Sequence, residues 1–209
     1  MSTISAAAMT PLKLFLIFLF ITLSAFNMQL SKPVLTQWVI TKGCTLKVEG
    51  STNVNKFMCV ITDYAKPDTI NFNKSSMAGS VKINGSIKLD VQNFDCHNPV
   101  MTRDLRKTLK SKTFPKLIIR FVSLSSYPQF NNHTNAITGI VTIELAGVTK
   151  RFDVNYRFTS HGPKTLNLVG SRLVNFSDFN IIPPRRLGGM IQTNDLLKVE
   201  FNLNMKVVD

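Results

Sequence analysis

Residues 137–158 show the organising pattern of the chain most plainly. Val141, Ile143 and Leu145 alternate with Thr142 and Glu144. Beyond Ala146-Gly147, the apolar residues Val148, Phe152, Val154, Tyr156 and Phe158 alternate with Thr149, Arg151, Asp153, Asn155 and Arg157. A period of two places successive side chains on opposite faces of a strand, so the pattern predicts a β-hairpin with one apolar and one polar face. Gly147 suits the corner, where the backbone needs a positive φ.

The same arithmetic recurs along the chain. Residues 37–49 read as a first strand, with Ile40, Cys44, Leu46 and Val48 in phase, and residues 54–62 as a second. A loop over 64–76 holds Pro67 and a short extra strand near Ile70. In a long strand over 79–91, Val81, Ile83, Ile87, Leu89 and Val91 alternate with Lys82, Asn84, Ser86, Lys88 and Asp90. Gly85 falls in the apolar phase, where it permits the sharp bend that a closing barrel needs. Further strands are expected over 116–125 and over 165–176, the latter with a bulge around Val169 to Ser171. The last strand, 197–207, alternates almost perfectly: Leu197, Val199, Phe201, Leu203, Met205 and Val207 against Lys198, Glu200, Asn202, Asn204 and Lys206.

One segment follows a different period. Asn98 is a good N-cap, with Pro99 in the first turn, and Met101, Leu105 and Leu109 then recur every four residues among Arg103, Arg106, Lys107 and Lys110. This predicts a short amphipathic helix ending before Phe114-Pro115, whose basic second half complements the helix dipole. Residues 177–194 carry Pro183-Pro184 and Gly188-Gly189 and read as a long functional or capping loop.

About eight long strands with one polar face, and one helix after the third, define an all-β fold: an extended eight-stranded antiparallel barrel. At that strand number a barrel is filled by its own side chains or holds one small ligand. The inward set is Ile83, Ile87, Leu89, Phe121, Ile143, Phe152, Val154, Tyr156, Phe158, Phe201, Leu203 and Met205. A core needs these residues with or without a guest, and a lumen so lined calls for an apolar one.

Composition adds a compartment and a charge. Residues 11–26 are apolar except for Lys13, Thr22 and Ser24. The run is shorter than the roughly 20 residues that span a bilayer, so residues 1–26 read as a secretory signal peptide, with an uncleaved anchor as the alternative, ahead of a barrel domain over 37–208. Export permits disulfides, but three cysteines cannot all pair within one chain. Cys44 shares the inward parity of Leu46 and Val48, whereas Cys59 and Cys96 sit near the ends of two other strands and form the expected bridge. The formal charge of +13, from 25 Lys and Arg against 12 Asp and Glu, favours anionic partners, with a solvated basic surface as the alternative. Export argues against nucleic acid.

The order of segments resembles the YceI-like family of lipocalin-like, polyisoprenoid-binding envelope barrels. The resemblance lies in GSIKLDVQNFD followed by MTRDLRKTLKSKTFP and KLIIRFVSLSS, in TIELAGVTKRFDVNYRF, and in SRLVNFSDFNI, and it runs from Trp38 to Val208. It implies a lipocalin-like barrel with a helix across one side, a hydrophobic tunnel for an isoprenoid or similar lipid tail, and periplasmic residence. Where the family usually carries a His- and Gly-containing segment ahead of its second strand, this chain has STNVNKFMC.

The chemistry of an enzyme is not evident. No nucleophile elbow, phosphate-cradling glycine loop or metal-ligand spacing stands out, and carboxylates are few. No catalytic residue, cofactor or metal site is expected. Arg185 and Arg186 follow Pro183-Pro184 in a loop placed to overhang a barrel mouth, where paired guanidinium groups suit a pyrophosphate or carboxylate head group, solvated loop charges being the alternative. The expected function is a non-catalytic periplasmic carrier of a long apolar ligand such as an isoprenoid. The alternative is an envelope protein whose basic helix docks on an acidic partner, either an anionic membrane surface or another protein, with the barrel as scaffold.

Overall fold

The computed structural model describes residues 34–208, apart from 65, 67, 75–78, 129–134 and 163. The expected signal peptide or anchor lies outside the described residues. The strands are β1 (Val34–Ile40), β2 (Cys44–Ser51), β3 (Lys56–Tyr64), β4 (Thr69–Lys74), β5 (Val81–Asp90) and β6 (Lys116–Leu124). They continue with β7 (Asn135–Leu145), β8 (Val148–Gly162), β9 (Thr165–Asn175), β10 (Arg185–Arg186), β11 (Ile191–Gln192) and β12 (Leu196–Val208). Helix α1 (Pro99–Thr108) lies between β5 and β6.

The strands run in the order β1, β4, β5, β6, β7, β8, β9, β12, and β12 returns to β1, closing an eight-stranded antiparallel barrel. β12 is long enough to serve two partners, pairing residues 198–202 with β2 and 205–208 with β1. β1 and β2 are therefore one long strand interrupted at residues 41–43, and β3, ending at Tyr64, and β4, beginning at Thr69, are the two parts of a second. Counted this way, the helix follows the third long strand. The first interruption has a local cause. Gly43 takes φ +81°, and the Asn204 side chain donates to the carbonyls of Lys42 and Gly43 at 3.3 Å each, replacing the strand partner that the kink removes.

The interruption of the second strand opens a seam. β4 pairs with β5 over residues 71–73 and 82–84; beyond Gly85 the described pairs of β5 are with β6, and those of β3 with β2. Gly85 stands at a register shift of β5, and a Cβ there would lie 3.0 Å from backbone atoms of Thr69 and Ile70. A side chain at this point would press on the backbone of the neighbouring strand. The chain after β5 then folds back to fill the seam. Val60 and Asp95 exchange both backbone hydrogen bonds, at 2.7 and 2.8 Å, and the Lys88 N–H reaches the Tyr64 hydroxyl at 3.5 Å. Next to this bridge, Cys59 and Cys96 form a disulfide.

Inside, aromatic rings fill the barrel from its middle towards the end where β1 begins. Trp38 lies 3.9 Å from Phe72 and 6.0 Å from Phe158, centroid to centroid, and Phe201 contacts both Phe121 at 5.8 Å and Tyr156 at 6.0 Å. The bulge expected around Val169 to Ser171 is absent, for β9 pairs with β12 without a shift from residue 165 to 175. The apparent slip of phase is an inward glycine. A Cβ on Gly170 would lie 2.2 Å from the Phe201 ring, which occupies the space a side chain would need.

That packing is testable. Gly170→Val forces the Phe201 ring from its place and is expected to lower stability by about 1–3 kcal/mol, read as a fall in the denaturant midpoint at unchanged slope. An unchanged midpoint would show that the ring does not sit against β9.

Candidate functional site

At the opposite end, the barrel is covered by a lid rather than filled. The lid comprises α1, the 3-10 turn Phe176–Phe179 and the short hairpin of β10 and β11. The sequence builds each part locally. Asn98 Oδ1 accepts from the N–H groups of Val100 and Met101 at 3.0 Å, opening α1, and the helix turns Leu105 inwards, with Leu109 buried just past its last turn. Asn175 and Asp178 form a capping box around the 3-10 turn, Asp178 accepting from the Asn175 N–H at 2.8 Å, which presents Phe176 and Phe179 to the interior. Asp195 accepts from the Ser177 N–H at 2.9 Å and ties the turn to the start of β12.

Beneath the lid is an apolar cavity of about 60 Å³. Leu46, Leu117, Ile119 and Ile143 line it from the barrel and Leu105, Leu109, Phe176 and Phe179 from the lid; Asn175 is its one polar residue. A second opening of about 220 Å³ lies between α1, the β2–β3 turn and the hairpin, and it shares Leu105 and Phe176 with the first. This groove is more polar, with Thr52, Asn55, Asn98, Asp104, Arg186 and Thr193 beside Val54, Phe57, Met101 and Ile191. Leu105 and Phe176 thus stand as the partition between a polar groove and a smaller apolar chamber.

The residues expected to line the lumen divide by position. Ile143 faces the chamber. Phe121, Tyr156, Phe158 and Phe201 belong to the aromatic packing above it. Phe152 lies against Phe179 of the lid at 5.8 Å. Ile83, Ile87, Leu89, Val154, Leu203 and Met205 are buried in the wall of the core. Of the expected head-group pair, Arg186 lies on the groove and forms a forked ion pair with Asp104 of α1, while Arg185 is exposed on β10. The basic helix face is smaller than its sequence suggests: Arg106 turns inwards and donates to the Phe94 carbonyl at 2.9 Å, leaving Arg103, Lys107 and Lys110 exposed. Among the described residues, no group of three or more His, Cys, Asp or Glu side chains is placed to hold a metal ion, and no helix is long and apolar enough to cross a membrane.

Sequence reasoning missed Phe176, Phe179, Leu117 and Ile119 as chamber residues. The first two had a usable signal, since Asn175 three residues before Asp178 has the spacing of a capping box. Two buried groups colour the interior. Burial pushes the Cys44 thiol above its ordinary pKa, and it stays a neutral donor to the Thr41 carbonyl at 3.1 Å. Burial likewise raises the Tyr156 phenol, whose hydroxyl makes no hydrogen bond among the described residues.

An unpaired buried hydroxyl costs about 1–3 kcal/mol, so Tyr156→Phe is expected to leave stability unchanged or raise it in thermal unfolding of the ligand-free protein. A clear loss of stability would mean that the hydroxyl has a partner in the folded protein.

No protein-family model matches the chain, and no curated protein matches it in sequence. Solved structures do match. A polyisoprenoid-binding domain from Saccharophagus degradans, implicated in plant cell wall breakdown, is 10% identical with a TM-score of 0.55, over 82% of this chain and 98% of that one. BcnA of Burkholderia cenocepacia is 13% identical with a TM-score of 0.57, over 77% and 95%. The YCEI protein of Campylobacter jejuni is 14% identical with a TM-score of 0.46, over 66% and 80%. At these identities the first two establish a shared fold.

Proposed function

We propose that this chain, which has the YceI-like fold, is a non-catalytic carrier that takes the tail of a long apolar molecule, an isoprenoid or similar lipid, through its helix end. The observation that carries this reading is the chamber under α1, apolar on every side but for Asn175 and sharing Leu105 and Phe176 with a more polar groove. The name of one structural neighbour, a polyisoprenoid-binding domain, supports the ligand class. The carboxylates of the lid support a binding role over a catalytic one, since Asp104, Asp178 and Asp195 are each engaged in structural hydrogen bonds.

The chamber's size sets the mechanism. At about 60 Å³ it is far below the roughly 300–1,000 Å³ of small-molecule pockets, so the ligand-free form is contracted and a tail enters by displacing the partition. Exposing a buried Leu or Phe costs about 1.5–3 kcal/mol, and each methylene buried in return contributes about 0.8 kcal/mol. A single five-carbon unit scarcely offsets the movement of Leu105 and Phe176, whereas a chain of several units does so with a surplus. The site therefore selects long tails. Arg186, held over the groove by Asp104, is the head-group contact, and Arg185 lies beside it in sequence.

In this reading residues 1–26 export the chain, the barrel domain over 37–208 works in the periplasm, and anionic groups on the ligand meet the basic lid. The alternative, docking through the helix alone, has less support because Arg106 is committed to the Phe94 carbonyl.

The test is retention of a polyprenol of four or more units through gel filtration. Wild-type protein is expected to retain it near stoichiometrically and Leu105→Ala to retain at least as much, while Leu105→Trp, which blocks the partition, loses retention with an unchanged circular dichroism spectrum. A wild type that retains none, or a Leu105→Trp variant that retains as much, would overturn the proposal.

A further inference from the structure

The lid carries a feature that holding a ligand does not require. Between β10 and β11 the chain turns through Leu187, Gly188 and Gly189 with φ of +49°, +65° and +99°. The left-handed region is ordinary for the glycines but disfavoured for leucine. Leu187 and Met190 at this tip are 69% and 75% exposed. Asn53 fixes the neighbouring β2–β3 turn beside the tip, donating to the Met190 carbonyl and accepting from the Gln192 N–H, both at 2.9 Å, and Val54 on that turn is 64% exposed. Three exposed apolar side chains therefore stand on two hydrogen-bonded turns beside the groove.

Exposed cations lie around them. Arg185, Lys56 and Arg103 are exposed at this end. Of the acids nearby, Asp104 is paired with Arg186, while Asp178, Asp195 and Asp95 keep their charge and accept from the N–H groups of Asn175, Ser177 and His97. We propose that the β10–β11 tip, with the Val54 turn, docks this end of the barrel on an anionic lipid bilayer. Leu187, Met190 and Val54 enter the interface, and Arg185, two residues from the tip, sits at the level of the lipid phosphates. A narrow convex apolar tip with cations at its base fits a yielding, negatively charged surface. The inference goes beyond the carrier reading and does not require a ligand in the chamber.

The protein supplies its own probe background, because its single tryptophan, Trp38, is fully buried. The full chain bearing Leu187→Trp is mixed with vesicles of phosphatidylglycerol and phosphatidylcholine whose acyl chains carry bromine, a contact quencher. The introduced indole is expected to lose most of its emission on these vesicles and little on purely phosphatidylcholine ones. Adding Arg185→Glu, or raising salt from about 0.1 to 1 M so that the screening length falls from about 10 to 3 Å, restores most of the emission. Lys82→Trp, at the other end of the barrel, is the control and stays unquenched. The proposal is overturned if Leu187→Trp is not quenched on anionic vesicles. It is also overturned if Lys82→Trp is quenched equally, the mark of adsorption through some other part of the chain, or if sedimentation without lipid shows a dimer that Leu187→Ser abolishes.

Discussion

The structure depends on how the chain closes the seam between β3 and β5. A strand edge exposes N–H and C=O groups that must find partners or water, and an eight-stranded ring with one open seam would leave two such edges facing each other. The chain resolves this with its own next segment. Residues 91–98 return along β3, the Val60–Asp95 pair supplies backbone hydrogen bonds, and the Tyr64 hydroxyl meets the Lys88 N–H. The Cys59–Cys96 bond covalently ties the same place across a separation of 37 residues, a constraint worth roughly 3–4 kcal/mol in the chain-entropy account. Because α1 begins at Pro99, directly after this splice, closing the seam also sets the helix across the barrel end.

The two ends of the barrel consequently differ. At one, Trp38, Phe72 and Phe158 pack as a plug. At the other, aliphatic side chains of the wall face Leu105, Leu109 and the Phe176–Phe179 turn across a small void. An aromatic plug yields only by breaking several ring contacts at once. The lid, by contrast, rests on the partition residues, on the Arg186–Asp104 pair and on hydrogen bonds exposed to water. The asymmetry gives the proposed carrier a direction: a guest would enter where the least packing has to move, and the polar groove outside that point would suit a head group.

Much of the fold was legible in the sequence, because a barrel wall is written in period two. The alternation of Leu197 to Val207, the corner at Ala146-Gly147 and the Asn98 cap all have local causes that a sequence shows directly. The rest was hidden where a residue's role depends on a distant partner. Gly170 resembles a slip of phase until Phe201 is seen in its place. Asn204 reads as one more outward polar residue, yet it holds the break between β1 and β2. Arg106 counts as surface charge by helical position but turns in to a carbonyl twelve residues back, and nothing near Arg186 in sequence announces Asp104. Trp38 was not counted with the inward set, although it falls in the first expected strand with the parity of Ile40 and is fully buried at the centre of the plug. Periodicity revealed the wall; the contents of the lumen depended on long-range packing.

The central claim is that the chamber under α1 is the resting, contracted form of a site for a long apolar tail. Its most direct test is native mass spectrometry of the chain isolated without detergent from an envelope extract, followed by organic extraction of whatever is released. The account predicts a one-to-one adduct that extracts as a long-chain lipid and disappears from Leu105→Trp protein. A clean ligand-free mass, unchanged after exposure to polyprenols and fatty-acyl lipids, would contradict it and leave the chamber a packing defect of a filled barrel.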